Sequence, residues 1–200
     1  VEKQGIVFLG KPDYNWVRPF DRGVFAKKPI FTPDDLKGYK LRMWQSETPI
    51  KSWSALGANV TVLPWADVYT GLVTGVVNGL TGVIPTSYLM KQTEVVKYFT
   101  NLQEYFQIFA PLMGKRSWDK LTPAQQKQLT QAARDAGEVY SELSGEEAGV
   151  LTKKAQEEHG LSIILPPMGP WLAKMKTVHD EFEANGTIPK GIIAAIRAVP

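Results

Sequence analysis

Among the side chains able to do chemistry, Arg42 has the most telling position. It lies inside "YKLRMWQ", residues 39–45, an otherwise strand-like apolar run followed at once by the helix-starting "SETPIKSWSALG". Strand alternation turns Tyr39, Leu41 and Met43 one way and Lys40, Arg42 and Trp44 the other. An arginine at the carboxyl end of a strand, just before a helix N-terminus, stands where open α/β sheets bind ligands, and the helix dipole adds positive potential there. The fixed fork of the guanidinium matches a carboxylate through two parallel hydrogen bonds, so its natural partner is a small organic anion. From position and residue type alone, a salt bridge to Asp67 or Glu47 accounts for Arg42 equally well. Trp44 and Trp65, at the ends of neighbouring expected strands, could wall a pocket, although buried aromatics are more often plain core.

The other reactive residue types form no constellation. The 2 histidines, His159 and His179, lie in expected helices among acidic neighbours, away from any spacing a metal would use, and read as solvated surface. With no cysteine in the chain, thiolate metal sites, disulfides and cysteine nucleophiles are excluded. The nucleophile elbow, the phosphate-binding loop and the dinucleotide fingerprint are all missing. Asp34 with Asp35, and Glu146 with Glu147, sit at a helix start and on a helix surface, where solvated charge is the ordinary reading. No catalytic residue, metal ligand or cofactor is therefore expected, and the chain reads as a binding protein rather than an enzyme.

The scaffold that must position Arg42 has 200 residues, 44% of them hydrophobic, enough for one sizeable core or two small lobes sharing chain crossings. Its 23 basic residues are scattered and the net charge is only +3, so no basic patch points to nucleic acid. Lys, Asp, Pro or Gly interrupts every apolar run before it reaches membrane-spanning length. The first residues, "VEKQGIVFLG", lack a start methionine and a secretory signal layout, which fits a removed leader or a chain beginning partway through a longer protein.

Along the chain, "GIVFLG" reads as a buried strand, and "TPDDLKG" as one helical turn capped by Thr32 and ended by Gly38. After the Arg42 strand, Thr48 and Pro49 open a helix through Leu56, with Gly57 ending it. "NVTVLPW" is a second strand stopped by Pro64, and Ala66 to Thr74 a helix placing Val68, Leu72 and Val73 on one face. The segment from Val76 to Gly114 reads as strand, helix, strand, strand. From Thr122 and Pro123 to the next proline, Pro166, the pattern is one very long helix, about 55 Å over its ~37 residues. That is too long for one compact lobe. Gly137, Gly145 and Gly149 mark a bend or a packing contact along it. The strand "LSIIL", a helix around Trp171 to Ala184 and a short C-terminal helix from Ile188 or Pro189 complete the chain. This alternation predicts an α/β architecture with a largely parallel sheet.

The run "TPDDLKGYKLRMWQSETPIKSWSALGANVTVLPWADVYTGLVTGVVNG" resembles the substrate-binding proteins of tripartite ATP-independent periplasmic (TRAP) transporters. That family, DctP-like in type, carries D-L-K-G-x-K-[IL]-R, then x-A-L-G-A-x-P-x-P-[MLV]-[PA]-[FW]-x-[ED]-[VL]-Y-x-A-L-Q-T-G-[VA]-V-D-G, and the match runs without a gap. "EVVKYFT" and the long "LTPAQQKQL" helix continue it. The resemblance implies a two-lobed periplasmic-binding-protein-like fold with the long helix spanning both lobes, and the N-terminal part of the first lobe absent from this chain. On that basis residues 1–20 and 108–147 are the remainder of lobe I, and residues 21–107 and 148–200 are lobe II.

The resemblance further implies a periplasmic protein that captures a small organic acid and hands it to a membrane permease, existing as a monomer or weak homodimer. A sensory receptor of the same fold, docking to a signalling protein, is the rival role, and an enzyme on an α/β scaffold is the third reading. By position, Arg42 matches the arginine that pairs with the substrate carboxylate, and Arg22 a second arginine used by some members. Trp65 occupies the aromatic position against the ligand, Trp44 neighbours it, and Gln45 is a polar pocket position. The clearest departure is "VVNGLTGVIP", where the usual phrase is close to V-V-D-G-Q-E-N-P. Gly82 replaces the asparagine that helps hold the carboxylate, and Leu80 and Thr81 replace the polar pair before it. The change removes a donor and adds room, which implies a bulkier or more apolar acid than a sugar acid or a C4-dicarboxylate.

Overall fold

The computed structural model describes residues 4–9, 16–18, 20–105 and 107–198. Its centre is a six-stranded sheet made of β3 (Arg22–Ala26), β4 (Lys40–Met43), β5 (Asn59–Val62), β6 (Gly79–Val83), β7 (Tyr98–Asn101) and β10 (Ser162–Ile164), in the order β10-β7-β3-β6-β4-β5. β4 runs parallel to β5 and β6, and β10 parallel to β7, whereas β3 is antiparallel to both β6 and β7. The largely parallel sheet expected from the alternation is present, with one reversed strand inside it. That reversal brings the start of β3, and with it Arg22, to the same edge as the carboxyl ends of β4 and β6.

Strand alternation decides what each face holds. Val24, Ala26, Leu41 and Met43 point into one buried layer, closed by Trp53 of α1 (Glu47–Ala55) and Trp171 of α6 (Met168–Ala184). Phe25, Leu80 and Phe99 point into the other, closed by Val68 and Leu72 of α2 (Val68–Thr74), Ile84 of α3 (Ile84–Leu89) and Ala155 of α5 (Pro123–His159). The Phe25 and Phe99 rings meet at 4.6 Å between centroids. Helices thus cover both faces, as a mainly parallel sheet requires.

The remaining strands are short. β1 (Ile6–Phe8) pairs antiparallel with β9 (Leu112–Gly114), and β2 (Val17–Arg18) with β8 (Gln107–Ile108). The expected buried strand in "GIVFLG" is therefore a half-buried strand of a two-stranded ribbon, because only one neighbour covers it. α4 (Lys115–Trp118) leads into α5. Thr122 Oγ1 accepts from the Gln125 amide while the Gln125 side chain accepts from the Thr122 amide, a reciprocal cap that fixes where the long helix begins. Its first half meets the small ribbon, with Trp16 Nε1 donating to the Ala133 carbonyl at 2.7 Å and the Val17 amide to Ser141 Oγ at 3.0 Å. Its second half packs on the large sheet through Leu151 and Ala155. Gly137 is buried, a packing contact as expected, while Gly149 faces open space.

Two boundaries differ from the sequence expectation. α1 starts at Glu47, with Ser46 extended ahead of it, rather than at Thr48 and Pro49, since Pro49 fits anywhere in a first turn whose amides need no partner. Val73 is exposed, because α2 is short and turns only Val68 and Leu72 inward. The C-terminal helix α7 (Ile192–Arg197) begins after Gly191 in left-handed geometry.

Candidate functional site

Arg42 is 5% exposed, the last but one residue of β4, and its Nε donates to the Leu63 carbonyl at 2.9 Å. Its guanidinium carbon lies 5.3 Å from the centroid of the Trp65 ring, within cation-π range. Neither Asp67 nor Glu47 pairs with it among the described residues; Glu47 instead pairs with Lys51. Burial, then the nearby positive charge of Arg22, pulls the Arg42 guanidinium below the ordinary arginine value. A buried cation with no carboxylate partner among the described residues carries a desolvation cost that an incoming anion would offset.

Arg22 reaches the same place from the reversed strand β3. Its Nε meets Glu104 Oε2 at 3.0 Å, and its Nη2 donates to Thr81 Oγ1 at 3.4 Å. Trp44 and Tyr105 flank it, with ring centroids 5.3 and 4.7 Å from the guanidinium carbon. Glu104 also accepts from Trp53 Nε1 at 3.1 Å, tying the pair to α1. Burial pushes the Glu104 carboxyl up, against the lowering pull of Arg22.

Both arginines line a cavity of ≈ 360 Å³ at the carboxyl edge of β4 and β6, together with Trp44, Trp65, Gly82 and Ser87. Arg18 and Gln107 of the small ribbon complete its far wall. Two of the lining atoms, Ser87 Oγ and Gln107 Oε1, are buried without a hydrogen-bond partner among the described residues. Orphaned buried polar atoms are rare in folded proteins, and here two converge with the Arg42 guanidinium on one cavity. Arg18 is held back by Tyr140 Oη, 2.8 Å from its Nε, and stacks on Phe109.

Of the residues singled out in the sequence, Arg22, Arg42, Trp44, Trp65 and Gly82 come together around this cavity. Gln45 is exposed and outside its lining, because it lies beyond the end of β4 where the chain turns toward α1. At Gly82 a Cβ would meet Ser87 Oγ at 3.4 Å, so the missing side chain leaves room only up to that hydroxyl. Glu104, Tyr105, Ser87 and Arg18 were not anticipated. A larger cavity of ≈ 440 Å³ between α1 and α6 is mostly apolar and holds neither arginine. The histidines are not solvated surface: His159 is half-buried with Nδ1 2.7 Å from Thr93 Oγ1, since the end of α5 packs on the turn before β7, and His179 lines the larger cavity. No group of acidic and histidine side chains that could hold a metal occurs among the described residues.

An α/β sheet with an arginine-lined cavity at its strand ends has the geometry and charge of an anion site. Residues 1–185 match the family described as bacterial extracellular solute-binding protein, family 7 (DctP). The chain belongs to that family. It is 30% identical over 139 residues to the 2,3-diketo-L-gulonate-binding periplasmic protein YiaO of Escherichia coli, covering 70% of this chain and 42% of that protein. It is 28% identical over 177 residues to the C4-dicarboxylate-binding periplasmic protein DctP of Rhodobacter capsulatus, covering 86% and 52%. The chain thus spans about half the length of the curated relatives it matches.

Solved structures agree. A TRAP periplasmic solute-binding protein from Sulfitobacter sp. NAS-14.1 with bound β-D-galacturonate superimposes with a TM-score of 0.83 at 27% identity, covering 92% of this chain and 60% of that one. One from Ochrobacterium anthropi with bound L-fuconate gives 0.78 at 29% identity, covering 98% and 62%. Among the described residues no helix is long and apolar enough to cross a membrane.

Proposed function

We propose that this chain is the arginine-bearing portion of a periplasmic solute-binding protein that captures a small organic acid and delivers it to a TRAP-type permease, with no catalysis of its own. The observation that carries this reading is Arg42: a buried guanidinium without a carboxylate partner among the described residues, opening on a cavity that also holds polar atoms unpartnered among those residues. The carboxylate takes Arg42, the Trp65 and Trp44 rings contact the body of the acid, and Ser87 and Gln107 meet its polar substituents. Residues 1–20 and 108–147 belong to one lobe and residues 21–107 and 148–200 to the other, and their approach over the acid excludes water from the ion pair and strengthens it. The protein acts as a monomer or weak homodimer.

A thermal-shift screen of the native-length protein against sugar acids, 2-oxo acids, dicarboxylates and aromatic acids tests the reading. A ligand at 100 times its Kd stabilises by about 2.7 kcal/mol, a shift of several degrees for a domain of this size. A shift confined to one acid class supports it. No shift from any acid class, with shifts from neutral or cationic solutes, would overturn it.

A further inference from the structure

Three arginines line the cavity, and the two carried by the large sheet, Arg22 and Arg42, differ in their electrostatic situations. Among the described residues Arg42 meets a backbone carbonyl and an aromatic ring and no carboxylate, whereas Arg22 has Glu104 against its Nε edge and Thr81 against its Nη2. Glu104 has little freedom to leave. Its second oxygen is held by Trp53 Nε1, and the aromatic pair Trp44 and Tyr105 encloses the guanidinium it contacts. We infer that Glu104 is a specificity-determining residue: it cancels the charge of Arg22, so the cavity anchors a carboxylate on Arg42 and refuses a second carboxylate at the Arg22 end. This rests on the carboxylate-binding reading above.

The local chemistry supports the assignment. A guanidinium already neutralised by a fixed carboxylate has lost most of the attraction that would offset dehydrating a second anion, and the incoming carboxylate would also face the Glu104 charge. Arg22 is left as a donor of hydrogen bonds, suited to a neutral hydroxyl or carbonyl oxygen. Thr81 Oγ1, 3.4 Å from Arg22 Nη2, offers a neutral acceptor on the same face, so among the described residues Glu104 is the carboxylate paired with this guanidinium. Arg18 also lines the cavity, but its Nε is engaged by Tyr140 on the α5 side, apart from the Arg22 and Glu104 pair.

The test uses acid pairs that differ by one carboxylate on the same skeleton, D-galacturonate with galactarate and D-glucuronate with glucarate, measured by calorimetry on the native-length protein. The wild type should bind the monoacid of a pair more tightly than its diacid. In Glu104→Gln the diacid should gain about ten- to hundredfold relative to the monoacid, the worth of a charge-assisted hydrogen bond. The double variant Thr81→Glu with Glu104→Gln returns a carboxylate to Arg22 and should restore the wild-type ratio, which a merely structural role for Glu104 would not produce. A wild type that prefers the diacid, or a ratio unmoved in folded Glu104→Gln, overturns the charge-setting role while leaving Arg42 as anchor. Binding of these acids that survives Arg42→Ala unchanged overturns the carboxylate reading itself.

Discussion

Glu104 Oε2 lies 3.0 Å from Arg22 Nε, while Arg42, in the same cavity, has the Leu63 carbonyl as its nearest fixed acceptor. The difference follows from strand direction. Register aligns Arg42 with Leu80, on the face that α2 and α3 cover, while Arg22 alternates with Phe25 onto the face of α1 and Trp53. Glu104, in the loop after β7, can reach only the second of these.

The Glu104 carboxyl, raised by burial, makes stability depend on pH in a definite direction. The folded chain holds this proton more tightly than the unfolded chain does. Its contribution is therefore fully present below the ordinary glutamate value and is lost as pH rises through the elevated one. Denaturant unfolding followed upward in pH from the ordinary glutamate value should show this falling component, and Glu104→Gln should remove it. An identical pH profile in the variant would place the raised proton affinity elsewhere.

Asp35 acts with the opposite sign. The backbone amides of Thr32 and Phe31 donate to its carboxylate at 2.9 Å and hold its carboxyl below the usual range. Its contribution is present above the ordinary aspartate value and is lost as pH falls through the depressed one. Asp35→Ala removes both contacts and should cost about 1 kcal/mol at neutral pH, typical of a lost helix cap, measured by denaturant unfolding. A loss within a few tenths of a kcal/mol would show that the turn ahead of β4 holds without it.

Gly23 sits beside Arg22 where β3 meets β7. A Cβ there would lie 1.9 Å from the Thr100 carbonyl oxygen, a backbone atom fixed in the ladder. Gly23→Ala must push the strands apart, which overpacking data put at about 1–3 kcal/mol, and it should also displace Arg22 from Glu104. The expected result is a lower Tm together with altered acid selectivity. An unchanged Tm would mean that β3 shifts freely.

The sequence announced what periodicity and capping can announce. Alternation from Lys40 to Met43, the Thr32 cap and the proline-free stretch after Pro123 each specify a local conformation, and each is present. Trp44, past the end of β4, packs with the layer of Leu41 and Met43 instead of sharing the Arg42 face. Arg22 was nominated by resemblance alone. Its place in the cavity depends on β3 running against its neighbours, a pairing choice that alternation leaves open. Glu104 and Tyr105 lie in an irregular loop with no period to mark a facing direction, and Ser87 becomes conspicuous only once Gly82 leaves space beside it. Gln45 too rests on resemblance alone, and lying two residues past the end of β4 it falls outside the cavity lining.

Isothermal titration of Arg42→Ala and Arg42→Lys, with the acid that most stabilises the native-length protein, tests the central claim most directly. Loss of a buried, bidentate charge pair should weaken binding at least about a hundredfold in the alanine variant, and lysine, a point charge without the fork, should recover only part of it. Alanine and wild-type affinities within about threefold of each other, less than 1 kcal/mol, would show that the carboxylate is held elsewhere and that Arg42 is structural.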